Sequence, residues 1–205
     1  MTSQYALIVE GRDDEAVCRA LFQSRGFSKQ IVYERLDGYD SHKLRVTFSA
    51  VRKSVAIAVG IILDADEDIN GRWQSLGTLL TAEGYVNLPK HPDPDGTILK
   101  HPDPDMPTVG VWLMPNNQTA GKLEDFLAQL VPSGDLLWSY ADTTIHGLPE
   151  QRFRATDRSK AHIHTWLAWQ AAPGKPFGQA MMSGYLAVGQ PAANQFLVWS
   201  HQLFT

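Results

Sequence analysis

The sequence predicts an α/β protein: a mostly parallel sheet with helices on both faces, followed by further helices toward the C-terminus. Three observations carry this. Two continuous apolar runs, around Leu7, Ile8 and Val9 and from Val59 to Leu63, read as strands buried on both faces. Amphipathic segments of 3.6-residue period separate the strand-like runs. The resulting order, β-α-β-α-β-α, requires right-handed crossovers and hence parallel pairing.

Taken in order, the first strand leads through Gly11 into a helix over 13–25, with Ala16, Val17, Ala20 and Leu21 on one face. Asp13 or Asp14 can cap it and Gly26 ends it. A short strand over 31–36 precedes the turn at Asp37 and Gly38, and Ser41 opens a helix with Leu44, Phe48 and Val51 at helical spacing. The third strand spans 55–63. Asn70 and Gly71 read as a break, after which 72–83 forms a helix with Trp73, Leu76, Leu79 and Leu80 inward. Next, Lys-His-Pro-Asp-Pro-Asp at 90–95 recurs at 100–105. His91, His101 and four aspartates are possible ligands there, but Pro-Asp pairs favour turns for local reasons, so a surface hairpin is expected. A strand over 109–114 and an amphipathic helix over 122–131 complete a core of about 1–131. The remaining 132–205 read as a helical extension of the same domain: a short helix over 135–141, a basic loop over 151–160, and helices over 161–170 and 192–204.

Composition narrows the class. The chain has 205 residues, 43% hydrophobic and 20% charged, enough for one domain with a proper core. No 18-residue apolar run is present, and the start carries no basic, apolar leader, so neither membrane insertion nor secretion is expected. The one cysteine, Cys18, allows no internal disulfide or cysteine-based zinc site and suits a reducing cytoplasm. A net charge of −4 gives no general attraction for nucleic acid, although metal ions would reverse the sign locally.

The chemistry is expected where the two buried strands end. Glu10 and Asp14 follow the first, and Asp64 and Asp66 follow the third, with Glu67 and Asp68 beyond. Alone, either group is explained by a helix cap or a solvated turn. Together they place acids at one edge of a parallel sheet, where ligands bind in open α/β folds. Crowded carboxylates repel, and a divalent cation such as Mg²⁺ relieves that repulsion with oxygen ligands.

The pattern Leu-Ile-Val-Glu10-Gly-x-x-Asp14 followed by Leu-Asp64-Ala-Asp66 resembles the Toprim fold, shared by topoisomerases, bacterial primases, the ribonuclease that matures 5S ribosomal RNA, and the nucleases of the overcoming-lysogenisation-defect (OLD) group. The resemblance covers about the first 130 residues. The OLD-type branch adds an acid in a Gly-x-Leu-Glu context, here Gly121-Lys122-Leu123-Glu124, and a late lysine before alanine, here Lys160. The whole chain is also similar to a family of stand-alone Toprim-like bacterial proteins that carries no established activity. By this resemblance Glu10, Asp14, Asp64, Asp66 and Glu124 hold one or two Mg²⁺ or Mn²⁺ ions, and Glu10 and Lys160 serve catalysis.

The implied activity is a metal-dependent nuclease acting on DNA or RNA, with Arg152, Arg154, Arg158 and Lys160 as a phosphate-contacting strip. The alternative is a non-catalytic metal- or phosphate-binding subunit. The OLD-type resemblance implies an ATPase partner, since those nucleases carry an ATPase domain; with no Gly-x-x-x-x-Gly-Lys-Ser/Thr loop in this chain, it would be a separate protein. A homo-oligomer is compatible with either. His162 and His164, two apart on a helix, do not share a face and read as structural. Trp166 and Trp169 read as core before they read as base-stacking groups.

Overall fold

The computed structural model describes residues 3–205. Positions 1–2, on which part of the leader argument rests, lie outside the described residues. The first half alternates as expected: β1 (Ser3–Val9), α1 (Arg12–Ser24), β2 (Ile31–Arg35), α2 (Ser41–Ser54), β3 (Val55–Asp64) and α3 (Ile69–Ala82). Then come β4 (Thr97–Leu99), β5 (Thr108–Met114) and α4 (Leu123–Ala128). The C-terminal part is helical: α5 (Leu136–His146), α6 (Arg158–Ala168), α7 (Phe177–Met182) and α8 (Pro191–Leu203).

The five strands form one sheet in the order β2-β1-β3-β5-β4. Pairing is parallel throughout except for β4, which runs antiparallel to β5. From β1 the chain moves to one side to make β2, then crosses back to make β3 on the other side. The strand order therefore reverses between β1 and β3, and the crossover helices α1 and α2 fall on opposite faces.

Period-two alternation divides the core accordingly. Leu7, Val9, Ala58 and Ile62 turn toward α1, α4, α6, α7 and α8, while Ala6, Ile8, Val59 and Ile61 turn toward α2 and α3. The helices after residue 131 complete the first of these layers, with Ile163, Trp166, Phe177, Phe196 and Trp199 in the same cluster as Leu7 and Trp112. Gly110 lets α8 approach the sheet closely, since a Cβ there would stand 2.4 Å from Leu203; a Cβ at Gly60 would collide with Leu7 at 2.5 Å and crowd Phe204 and Leu203 at 3.2 and 3.3 Å.

Four features differ from the sequence reading. Asn70 and Gly71 do not break the chain; they form the first turn of α3, because Asp68 caps it by accepting the Gly71 N–H at 3.0 Å. The repeated segment forms the expected hairpin but adds a strand to the sheet, β4, antiparallel to β5 and bounded by two turns of like construction: Asp95 N–H donates to Asp93 Oδ1 and Asp105 N–H to Asp103 Oδ1, each at 2.9 Å. Helix α6 starts at Arg158, so Arg158 and Lys160 are helical rather than part of a loop. Finally, α7 fills the stretch between Pro176 and Ser183.

Candidate metal centre

The carboxyl ends of β1 and β3 lie side by side, with Val9 in register with Ile62. Glu10 leaves β1, and its Oε2 accepts the N–H of Asp64, the last residue of β3, at 3.3 Å. Asp64 in turn accepts the Leu123 N–H at 2.9 Å through Oδ1, which fixes the start of α4 against the end of β3. At the start of α1, Asp14 Oδ2 accepts the Gly11 N–H at 2.9 Å. Asp14, not Asp13, thus closes the first turn. Glu124 sits in the first turn of α4 and is buried, as is Asp14.

Four carboxylates therefore converge from two strand ends and two helix starts. Their electrostatics follow from burial and proximity. Burial, then repulsion from Glu10, pushes Asp14 up to about 7. Burial, then repulsion from Asp14 and Glu10, pushes Asp64 up to about 8. Glu10 is raised by burial, in part offset by the Asp64 N–H. Asp14 Oδ1 is buried without a hydrogen-bond partner.

Asp66 stands at the rim rather than within this cluster. Its backbone adopts φ +52°, and it exchanges two hydrogen bonds with Gly121, donating N–H to O at 2.9 Å and accepting N–H at 2.7 Å. Its carboxylate pairs with Arg72 and lies 3.9 Å from Lys122 Nζ. The Arg72 guanidinium also covers the Tyr39 ring, 3.5 Å from its centroid.

Two clefts adjoin at Asp66, Glu67 and Lys122. One, of about 640 Å³, is lined by Tyr39, Arg72 and Arg154 besides those three; the other, of about 610 Å³, by Trp138, Arg158 and His162. Glu10, Asp14, Asp64 and Glu124 line neither.

The basic residues separate into groups. Lys160 Nζ lies 3.7 Å from Glu124 Oε1 and so joins the acidic cluster. Arg154 holds Asp157 through two hydrogen bonds, at 2.9 and 3.3 Å, and Arg158 donates to Asp142 at 2.8 Å. Arg152 pairs with Glu150 on the open surface and lines neither cleft. Arg72 and Lys122 were not marked by the sequence reading. A signal was present in Lys122, which stands between Gly121 and Glu124; Arg72 becomes relevant only once α3 is known to start at Ile69 and turn it toward Asp66.

Among the described residues, no group of three or more His, Cys, Asp or Glu side chains is arranged so that it could hold a metal ion as it stands. The ligand set of the repeated loop is thus not assembled: His101 packs edge-on against Tyr85 and accepts the Asp103 N–H at 3.0 Å. The strand-end cluster nevertheless fits Mg²⁺ or Mn²⁺ in donor chemistry. It offers carboxylate oxygens only, one of them without a partner, and Mg²⁺ retains several waters rather than requiring a full protein cage. His162 stacks on Trp138 and His164 on Phe177, Trp166 is buried, and the partly exposed Trp169 lies against Tyr140.

The family described as "Protein of unknown function (DUF3226)" matches residues 4–205. The chain belongs to the DUF3226 family. That match takes in both strand-end motifs, Glu124 and Lys160, so every DUF3226 residue placed in the centre above lies inside the matched span. No curated protein and no solved structure matches the chain.

Proposed function

We propose that the chain is a Toprim-type, divalent-metal-dependent nuclease that hydrolyses phosphodiester bonds in DNA or RNA. The observation that carries this reading is the convergence of Glu10, Asp14, Asp64 and Glu124 at the point where the strand order reverses. A buried carboxylate oxygen without a partner has a substantial desolvation cost, which a cation would offset.

Glu10, Asp14, Asp64 and Glu124 would hold one or two Mg²⁺ or Mn²⁺ ions, with Asp66 reaching in from the rim. Bound there, the ions supply an activated water and charge stabilisation for the leaving oxygen. The chain's own residues do the rest. Lys160, beside Glu124, presents a positive charge to a scissile phosphate. Arg154 and Arg158, one in each cleft, hold the strand on either side of Asp66, with Arg152 an outlying contact. No helix of the described residues is long and apolar enough to cross a membrane, and the single, buried Cys18 supports a cytoplasmic setting.

A second reading has its own support. Asp66 is occupied by cations of the chain itself, and α5 exposes Leu136, at 84%, and Tyr140, at 63%. Both features suit a non-catalytic metal- or phosphate-binding subunit that docks on another protein, such as a separate ATPase or a second copy.

Cleavage assays on supercoiled DNA, single-stranded DNA and folded RNA with Mg²⁺ or Mn²⁺ test the nuclease reading. Glu10→Gln and Asp64→Asn preserve shape and hydrogen bonding, so each is expected to abolish cleavage while melting near the wild-type temperature. Full cleavage by either variant would falsify the reading. No cleavage by the wild-type chain, with Mn²⁺ bound, selects the second.

A further inference from the structure

The cleft of about 640 Å³ carries equal numbers of opposite charges: Asp66, Glu67 and Asp68 against Arg72, Lys122 and Arg154. They are linked rather than scattered. Arg72 pairs with Asp66, which lies 3.9 Å from Lys122; Lys122 lies 3.5 Å from Asp157, and Asp157 is held by Arg154. Such a surface attracts neither a free phosphate nor a free cation strongly, because each meets its own sign as often as the opposite one. It suits a pair of ions arriving together.

We propose that this cleft is a subsite for the phosphate backbone of a single nucleic-acid strand. In it, Arg72 and Lys122 move from Asp66 to the backbone when a divalent cation takes Asp66. The inference rests on the metal reading above. Three observations support it. Asp66 borders both clefts, as do Glu67, Lys122 and Thr156, and its carboxylate pairs with both Arg72 and Lys122. The Arg72 guanidinium sits over Tyr39, 3.5 Å from its ring centroid, and the Tyr39 hydroxyl is held 3.0 Å from Ser75 Oγ, so the guanidinium keeps aromatic support when it leaves the carboxylate. Lys122 is shared between two carboxylates, 3.5 Å from Asp157 and 3.9 Å from Asp66, so the pairing with Asp66 is the longer of the two. Asp66 thus serves as an internal stand-in for phosphate while no cation is bound.

The consequence is mutual strengthening: a divalent cation should raise affinity for the strand, and the strand should raise affinity for the cation by the same factor. Two substitutions separate this from ordinary charge attraction. Asp66→Asn keeps a residue that tolerates the left-handed backbone of this position and releases both cations. Arg72→Gln releases Asp66.

Binding of a labelled single-stranded oligonucleotide by anisotropy, in EDTA and in Ca²⁺ at constant ionic strength, and binding of Mn²⁺ by calorimetry provide the readouts. In the wild-type chain Ca²⁺ is expected to tighten strand binding. Asp66→Asn should tighten it about tenfold in EDTA, the equivalent of freeing one charge-assisted hydrogen bond, and should remove the effect of Ca²⁺. Arg72→Gln should weaken strand binding in Ca²⁺ about tenfold and tighten Mn²⁺. Strand affinity in EDTA that is unchanged or weaker in Asp66→Asn, with Mn²⁺ binding intact in the wild type, overturns the exchange and leaves the metal reading standing. A wild-type chain that binds no Mn²⁺ overturns both. Stronger binding of duplex than of single strand overturns the assignment of the cleft to one strand.

Discussion

Asp14 accepts the Gly11 N–H through one carboxylate oxygen and leaves the other buried without a partner. Together with Asp64 it makes the centre sensitive to pH in a definite direction. Both groups are raised above their ordinary value of 3.8, to about 7 and about 8, so the folded chain retains protons that the unfolded chain releases above about pH 4. The stability tied to these protons is present at low pH and is lost as pH rises through about 7 and then about 8. Denaturant midpoints measured in EDTA from pH 5.5 to 8.5 should therefore fall with pH, and Mn²⁺ should restore most of the loss at the alkaline end. A midpoint that climbs over this range would contradict the crowding of the four acids. Asp14→Asn keeps an oxygen for the Gly11 N–H and removes a charge. It is expected to stabilise the metal-free chain at pH 8 by roughly 1–2 kcal/mol and to weaken Mn²⁺ binding by calorimetry.

At the scale of elements, the centre depends on two loops tied together by the paired hydrogen bonds between Asp66 and Gly121. Gly121 has φ +143°, and a Cβ there would stand 2.9 Å from Asp125 Oδ2 and 3.0 Å from Pro115 Cδ. Asp125 Oδ2 is also the acceptor of the Lys122 N–H at 2.8 Å, which starts α4. Gly121→Ala should cost roughly 1–3 kcal/mol in thermal or denaturant unfolding and displace Asp66 and Glu124 together, seen as a loss of Mn²⁺ binding with helix content unchanged. These junctions also mark how far the sequence could be read. The ends of β1 at Val9 and of β3 at Asp64 were legible to within a residue because continuous apolar runs stop abruptly at acids. The start of α3 was not, because the cap Asp68 competes with the breaking signal of Asn70 and Gly71. Three-residue β4 and six-residue α7 carry too few positions for a period to register. Glu10, Asp14 and Asp64 could be gathered from the strand order, whereas Glu124, at the start of a helix, came only through the resemblance to the OLD-type branch. The pairing of Asp66 with Arg72 and Lys122 could not, since it depends on a left-handed residue whose conformation nothing in Leu-Asp-Ala-Asp announces.

At the scale of the molecule, the division into a core over 1–131 and a helical extension meets a continuous packing layer. Phe196 of α8 touches Phe22, Trp112 and Phe126, with ring centroids 6.1, 5.3 and 5.9 Å away, and so joins α1, β5 and α4. Trp199 packs on Trp112 at 5.6 Å, and Phe204 meets Tyr5 at 5.7 Å. Without residues after 131, the face of the sheet carrying Leu7, Val9, Ile62 and Trp112 would lose α6, α7 and α8, and Gly60 and Gly110 would leave bare backbone where Leu203 now sits. That is a large apolar area to expose, at about 25 cal/mol per Å². A chain ending at residue 131 is therefore expected to be insoluble or to lack a cooperative melting transition, and Phe196→Ala in the full chain should cost about 3–5 kcal/mol by denaturant unfolding. The proposed metal site supplies the control. Its acids come from the ends of β1 and β3 and the starts of α1 and α4, all before residue 131, yet one face of β3 and β5 packs against α8. Phe196→Ala should thus weaken Mn²⁺ binding in proportion to its loss of folded population and no further. Weakened binding in a fully folded variant would instead mean that α8 sets the spacing of the strand ends directly.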